Sequence, residues 1–246
     1  MEPTRYYKAF PCSDPEGRLL FFSTKSAGKL LLDRSVLASI REGTLSEKEQ
    51  SLLSELGFLV PNRDAEARGM PDLIDAQNEK STSLTVTVVM NLDCNFSCTY
   101  CYEGSRKGHK YMTEETAENL LQFIKNRFTD KKDTLVVDFY GGEPLLSLPL
   151  IEQISRSLKG FAESRTATYF STMVTNGSLL KRPVAEKLAG LGLRSVKVTL
   201  DGPAQNHDRY RPFLSGAGSF DVILKNIEDC CDIVKISIGG NHNRDN

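Results

Sequence analysis

The sequence has no apolar run near the ~20 residues that a membrane-spanning helix needs, no internal repeat and no low-complexity tract. Excess charge of either sign is missing as well. Its 31 basic and 32 acidic residues leave a net charge of −1, which excludes the basic footprint of a nucleic-acid binder. The start, Met1-Glu2-Pro3-Thr4-Arg5, lacks the apolar core of a secretory signal. Six cysteines in 246 residues are too few for a disulfide scaffold. These absences point to a reducing, cytoplasmic compartment, with neither membrane nor nucleic acid as a partner.

Residues 1 to 60 read as a small α+β unit. Tyr6 to Phe10, Leu19 to Ser23 and Lys29 to Leu32 are short strands, separated by turn formers at Ser13-Asp14-Pro15-Glu16-Gly17 and Ser26-Ala27-Gly28. A helix over Ser35 to Arg41 ends at Gly43. Ser46-Glu47-Lys48-Glu49 has the form of a capping box and opens a second helix with Leu52, Leu53 and Leu56 on its apolar face. Gly57 stops that helix, and Phe58-Leu59-Val60 reads as a returning strand. The unit is winged-helix-like and suits either peptide docking or a packing role. Residues 61–80 are polar, with Pro61, Gly69 and Pro71 placed to break a long helix, and read as a linker. Cys12 stands alone and reads as inert.

Within residues 81–246 strand alternates with helix. Strands are predicted at Leu84–Met90, Leu135–Tyr140, Thr168–Val174, Ser195–Leu200 and Ile233–Ile238. Helices are predicted at Glu114–Phe128 with Thr113 as N-cap, Leu150–Ser164, Arg182–Leu191 and Phe220–Cys230. Five strands joined by helical crossovers specify a parallel α/β sheet, too short for a closed eight-unit barrel and long enough for most of an open one.

The chain is organised around Cys94-Asn95-Phe96-Ser97-Cys98-Thr99-Tyr100-Cys101-Tyr102, three cysteines within eight residues just after the first of these strands. In a reducing compartment such a cluster indicates metal or redox chemistry. Three thiolates can hold three irons of a cubane cluster and leave the fourth open to a substrate or cofactor. A structural zinc would need a fourth ligand, for which His109 is the nearby candidate.

The other unusual polar groups fall in the same phase, just past strand ends. Gly141-Gly142-Glu143-Pro144 follows the second strand, Thr175-Asn176-Gly177 the third, and Asp201-Gly202-Pro203 the fourth. Parallel α/β folds place their ligands at the carboxyl ends of the strands, so the four clusters converge. The two glycines let backbone approach a ligand closely. Glu143 is suited to an ammonium group, Thr199 offers a hydroxyl, and Arg211 offers a fork for a carboxylate. His207 reads as a solvated loop histidine, with a general-base role as the alternative.

The spacing C-x3-C-x2-C with Tyr100 before the last cysteine, followed one strand later by Gly141-Gly142-Glu143-Pro144, resembles the radical S-adenosylmethionine enzymes. Cys-Thr-Tyr-Cys-Tyr together with Thr-Leu-Asp-Gly-Pro and the trailing Arg211 is similar to the peptide and protein maturases, which include anaerobic sulfatase maturases. Arg5-Tyr6-Tyr7 and Leu56-Gly57-Phe58-Leu59-Val60 resemble the geopeptide-type maturases. The resemblance implies a partial (β/α) barrel in which Cys94, Cys98 and Cys101 hold a 4Fe–4S cluster that chelates S-adenosylmethionine. It also implies that Gly141, Gly142 and Glu143 receive the amino group, Tyr100 lies by the adenine, Thr199 faces the cofactor and Arg211 meets the methionine carboxylate. Asp201 is expected to shape its turn.

The implied activity is generation of a 5′-deoxyadenosyl radical that modifies a ribosomal peptide, for example by thioether formation at a Cys-rich precursor. A ferredoxin or flavodoxin would donate the electron. The alternatives are formylglycine formation on a sulfatase and a non-catalytic peptide-binding role. No cysteine-rich extension follows, and Cys230 with Cys231 reads as structural, so the chain reads as a core truncated after its fifth strand.

Overall fold

The computed structural model describes residues 1–11 and 16–242. Cys12 and most of the turn expected at Ser13-Asp14-Pro15-Glu16-Gly17 lie outside them. The chain divides into two compact units, Met1–Lys80 and Ser81–Asn246.

The first unit contains β1 (Glu2–Pro3), β2 (Tyr7–Pro11), β3 (Leu19–Ser23), β4 (Lys29–Leu32), α1 (Arg34–Glu42), α2 (Glu47–Glu55), β5 (Leu59–Val60) and α3 (Arg63–Lys80). β2, β3 and β4 form an antiparallel meander, and β1 pairs antiparallel with β5. α1 stops at Gly43, whose φ of 70° is the left-handed cap that glycine adopts without strain. The capping box of α2 is complete: Ser46 Oγ accepts from the Glu49 N–H, and the Glu49 carboxylate accepts from the Ser46 N–H. Phe21, Leu32, Leu53, Phe58 and Leu59 make a small separate core.

α3 corrects the expectation that residues 61–80 lack a long helix. It runs for 18 residues through Pro71 and buries none of them. Its start is fixed by other means. Asn62 Oδ1 accepts from the Ala65 N–H, Thr4 Oγ1 donates to Glu66, and Lys25 and Arg5 pair with Glu66 and Asp64. Those anchors outweigh Gly69 and the single backbone bond that Pro71 removes.

The second unit contains β6 (Ser83–Val89), α4 (Glu114–Arg127), β7 (Thr134–Tyr140), α5 (Leu148–Ser164), β8 (Thr168–Thr175), α6 (Arg182–Gly190), β9 (Leu193–Thr199), α7 (Ala204–Tyr210), α8 (Phe220–Cys230) and β10 (Lys235–Gly239). The five strands form one parallel sheet in the order β10-β9-β8-β7-β6. Alternation along β7 turns Leu135, Val137 and Phe139 to the buried face, where they join Ile124, Ile151, Ile154, Leu158, Met173, Val196 and Val198 in one core. Val136, Asp138 and Tyr140 stand on the other, half-exposed face. All strand carboxyl ends therefore deliver their loops to one edge of the sheet. α7 was not expected; only seven residues long and polar, it has no apolar period to read. Among the described residues no helix is long and apolar enough to cross a membrane.

Replacing Ser46 with Ala removes the acceptor at the start of α2. It should cost about 1 kcal/mol of stability, measured as protection of residues 47–55 against hydrogen exchange.

Candidate active site

Sheet pairing continues beyond the strand ends. The Met90 N–H donates to Tyr140 O (2.8 Å), the Gly142 N–H to Asn91 O (3.1 Å) and the Glu143 N–H to Asp93 O (2.8 Å). A Cβ on Gly141 would stand 2.6 Å from Asn91 O, and one on Gly142 would overlap Asp93 O. The glycines therefore first admit the backbone of the cysteine loop; both also line the cavity that the loop encloses. Asn91 Nδ2 donates to Glu143 O (3.0 Å) and Ser147 Oγ (2.7 Å). Asp93 Oδ1 accepts from the Cys94 N–H, while Oδ2 takes the Tyr111 hydroxyl and pairs with His109. His109, the alternative zinc ligand, is thus turned to Asp93 and does not line the cavity.

The far side of the loop is held by the segment after α7. Ser97 and Thr99 N–H groups donate to Pro212 and Tyr210 carbonyls at 3.0 Å each. Phe96 is fully buried, edge-on to Phe213 with ring centroids 4.9 Å apart. Between these attachments, Cys94, Cys98 and Cys101 line one cavity of about 490 Å³ with Tyr100, Gly141, Gly142, Thr199 and Arg211. All three cysteines are free. Burial pushes the Cys94 and Cys98 thiols above the usual range, and Lys107 pulls both back, joined at Cys98 by Arg211.

Glu143 departs from its expected role. Its carboxylate accepts from Thr175 Oγ1 (2.7 Å), the Asn176 N–H (2.8 Å) and the Leu145 N–H (3.0 Å), is fully buried, and is not among the cavity-lining residues. A carboxylate held by three internal donors ties β7 to β8 rather than facing a ligand. Burial raises its pKa, and the N–H and hydroxyl donors oppose that. Asn176 in turn donates to Asn95 Oδ1 (2.8 Å), anchoring the cysteine loop from the third strand end.

Tyr100 also does something other than lie free for an adenine. Its hydroxyl donates to Asp201 and accepts from Arg211 Nη1 (2.9 Å) and Asn241 Nδ2 (3.1 Å). Asp201 Oδ1 accepts from the Asn241 N–H (2.9 Å), so the ends of β9 and β10 close on the cysteine loop. Arg211 Nε is buried and has no protein partner. His207 is not solvated, as its loop reading had it: it is fully buried in α7. The Asp201 N–H donates to its Nδ1 (3.1 Å), so the ring proton sits on Nε2 and is shared with Ser219 Oγ (3.1 Å). Ser219 Oγ donates to Arg211 O (2.7 Å). The histidine positions Arg211 and the Asp201 turn.

The residues fit an iron–sulfur cluster with one open iron and S-adenosylmethionine. Among the described residues no three Cys, His, Asp or Glu side chains converge on a single ion. Cubane ligands each bind a different iron and stand wider apart, which suits three thiols that line one cavity without converging on a point. The unpartnered Arg211 Nε is a donor for a carboxylate. Asn176, from the strand-end cluster Thr175-Asn176-Gly177, and Asn241, in the same phase after the fifth strand, also line this cavity, as do three residues that sequence reasoning passed over: Tyr140, Lys197 and Glu103. Strand phase marks Tyr140, Lys197 and Asn241; Glu103 carried no pattern.

A parallel sheet with a three-thiol cavity at its carboxyl edge is the architecture expected of the radical S-adenosylmethionine superfamily. The radical SAM superfamily model matches residues 88–242, and the chain belongs to that superfamily, whose members use a 4Fe–4S cluster and S-adenosylmethionine. Over 126 residues it is 33% identical to an uncharacterised protein of Methanocaldococcus jannaschii, covering 51% of this chain and 41% of that one. It is 27% identical over 153 residues to a cysteine-type anaerobic sulfatase-maturating enzyme of Clostridium novyi (61% and 40% covered). Over 195 residues it is 27% identical to a radical SAM cyclopropyl synthase of Paramaledivibacter caminithermalis (71% and 39%). The solved structure of native anSMEcpe with bound AdoMet and Kp18Cys peptide shares the fold with a TM-score of 0.56 at 24% identity, covering 63% of this chain and 42% of that one. The chain thus spans about two fifths of the length of the relatives it matches.

Gly142→Ala should push the Asp93 carbonyl away, destabilise the second unit by about 1–3 kcal/mol and lower bound iron, measured by urea unfolding and iron assay. His207 predicts a pH dependence. Burial holds its imidazole below the usual histidine range, so between its folded pKa and about 6.5 the unfolded chain binds the proton that the folded chain refuses. Stability is fully present above about pH 6.5 and is lost as pH falls toward the folded value. Urea midpoints should drop on acidification below that point, and more steeply for the wild type than for His207→Gln.

Proposed function

We propose that this chain is the catalytic core of a radical S-adenosylmethionine enzyme that modifies a ribosomally made peptide. The observation that carries the cofactor half is the single cavity lined by Cys94, Cys98, Cys101 and Arg211, with the Arg211 Nε unpartnered. When bound, the cluster and S-adenosylmethionine supply a 5′-deoxyadenosyl radical that removes a hydrogen atom from the substrate. The protein's own work is to hold and orient. The three thiols would hold the cluster, and Arg211 would receive the methionine carboxylate. Gly141 and Gly142 would present backbone, and the Thr199 hydroxyl would face the cofactor. The buried Phe96 ring packs under the loop beside Cys94, where it would keep water from one side of the cluster.

The peptide half is supported by the sulfatase-maturating and cyclopropyl synthase relatives and by the first unit. There, β2 is an exposed edge strand beside an apolar cavity of about 170 Å³ lined by Tyr7, Phe21, Leu37, Ile40 and Phe58. An edge strand next to an apolar cavity can receive an extended peptide, so we assign residues 1–60 to docking. Formylglycine formation on a sulfatase is the second reading, favoured by the Clostridium novyi relative. A ferredoxin or flavodoxin is the proposed electron donor.

Anaerobic reconstitution should load about four irons per chain and support reductive cleavage of S-adenosylmethionine, with Cys98→Ala losing nearly all of both. Equal iron in the variant and the wild type would sink the assignment. Mass spectrometry then separates the substrate readings: hydrogen loss on a Cys-rich peptide against formylglycine on a sulfatase peptide.

A further inference from the structure

Glu103, two residues beyond Cys101, is 8% exposed and lines the cofactor cavity, yet its Oε2 atom has no hydrogen-bond partner. Among the described residues no Lys, Arg or His lies within ion-pairing distance of it. Its backbone is fixed by a tight helical turn: the Gly104 N–H donates to Cys101 O (3.1 Å) and the Arg106 N–H to Glu103 O (2.7 Å). A carboxylate oxygen withdrawn from water without a donor is costly, by more than a neutral group would be. A fold that keeps one beside a ligand cavity has a donor in store for it.

The cavity contains a second unmatched group of the opposite sign, Arg211 Nε. A ligand that answers both carries a carboxylate and an ammonium or amine together. The carboxylate expected from sequence to meet the amine, Glu143, is already held by Thr175, Asn176 and Leu145 and lies outside the cavity lining. Tyr102 further ties this stretch to the edge of the sheet, its hydroxyl 3.2 Å from that of Tyr140, the residue before Gly141. Glu103 and the glycine pair line the same cavity.

We infer that Glu103 is the carboxylate that receives the amino group of S-adenosylmethionine, opposite Arg211 on its carboxylate. An amine that gives its lone pair to a metal keeps two N–H donors, so such a bond is compatible with chelation. Glu103 is then a cofactor-positioning residue, and the assignment rests on the cofactor reading above.

The test is equilibrium binding to anaerobically reconstituted protein, with iron measured alongside. The probes are S-adenosylmethionine and the sulfonium analogue that lacks its amino group. Glu103→Gln should keep its iron and bind S-adenosylmethionine about ten- to a hundredfold more weakly, the cost of one charge-assisted bond. Its affinity for the desamino analogue should stay within about twofold of wild type. Glu103→Asp, which keeps the charge on a shorter arm, should recover part of the preference. Equal weakening of both ligands, no weakening of either, or loss of iron in Glu103→Gln overturns this assignment alone. Wild-type protein that binds iron but no S-adenosylmethionine overturns the cofactor reading and the assignment with it.

Discussion

Everything at the site depends on the close approach of two backbones: Gly141–Gly142 against Asn91–Asp93. Strands β6 and β7 are in register from Ser83 opposite Thr134 to Val89 opposite Tyr140, and the glycines let that pairing run on where the strands have stopped. Any side chain there would collide with a carbonyl oxygen. The consequence is chemical. A loop bearing three cysteines would otherwise be free to sample many conformations; here its first half is an extension of the sheet. The second half is then closed by the Phe96–Phe213 contact and by Tyr100 with Arg211, Asp201 and Asn241. Thiol placement is thus inherited from sheet register.

Register also explains what could be read from the sequence. Leu19–Ser23, Lys29–Leu32 and Phe220–Cys230 were expected at their observed bounds, because the two strands are short apolar runs bounded by turn formers and the helix has an apolar period that begins after Ser219. The five-strand parallel order follows from strands alternating with helices. What escaped has no period of its own. β1 is two residues long and exists only because β5 pairs with it. α7 is held by His207 and the segment after Arg211, and α3 by anchors at Thr4, Lys25 and Arg5. Such elements are determined by tertiary bonds, which no local window contains.

The same distinction runs through the site residues. Spacing identified the three cysteines, strand phase pointed to Gly141, Gly142 and Thr199, and the resemblance to the maturases pointed to Arg211; all of them line the cavity. Phase cannot say which way a side chain turns after the last strand residue. Glu143 and Glu103 are both carboxylates on loops at the sheet edge. One is consumed by a hydroxyl and two N–H groups from neighbouring strand ends; the other keeps an unmatched oxygen. Only the inventory of donors around each separates a structural latch from a ligand contact.

That inventory extends to the sheet itself. Parallel sheets are normally covered on both faces and read as continuous apolar runs. Here the register aligns Thr87, Asp138, Thr172, Ser195 and Lys235 in one row across all five strands, on the face opposite the core. Thr172 donates to Asp138 at 2.7 Å, and Lys197, two residues further along β9, reaches the cofactor cavity. Covering such a row with apolar groups would strand every one of these donors and acceptors. The row suits water or a polar ligand, and a peptide, with an N–H and a C=O at nearly every residue, is a polar ligand of the right kind. This polar row is therefore itself a support for the peptide reading.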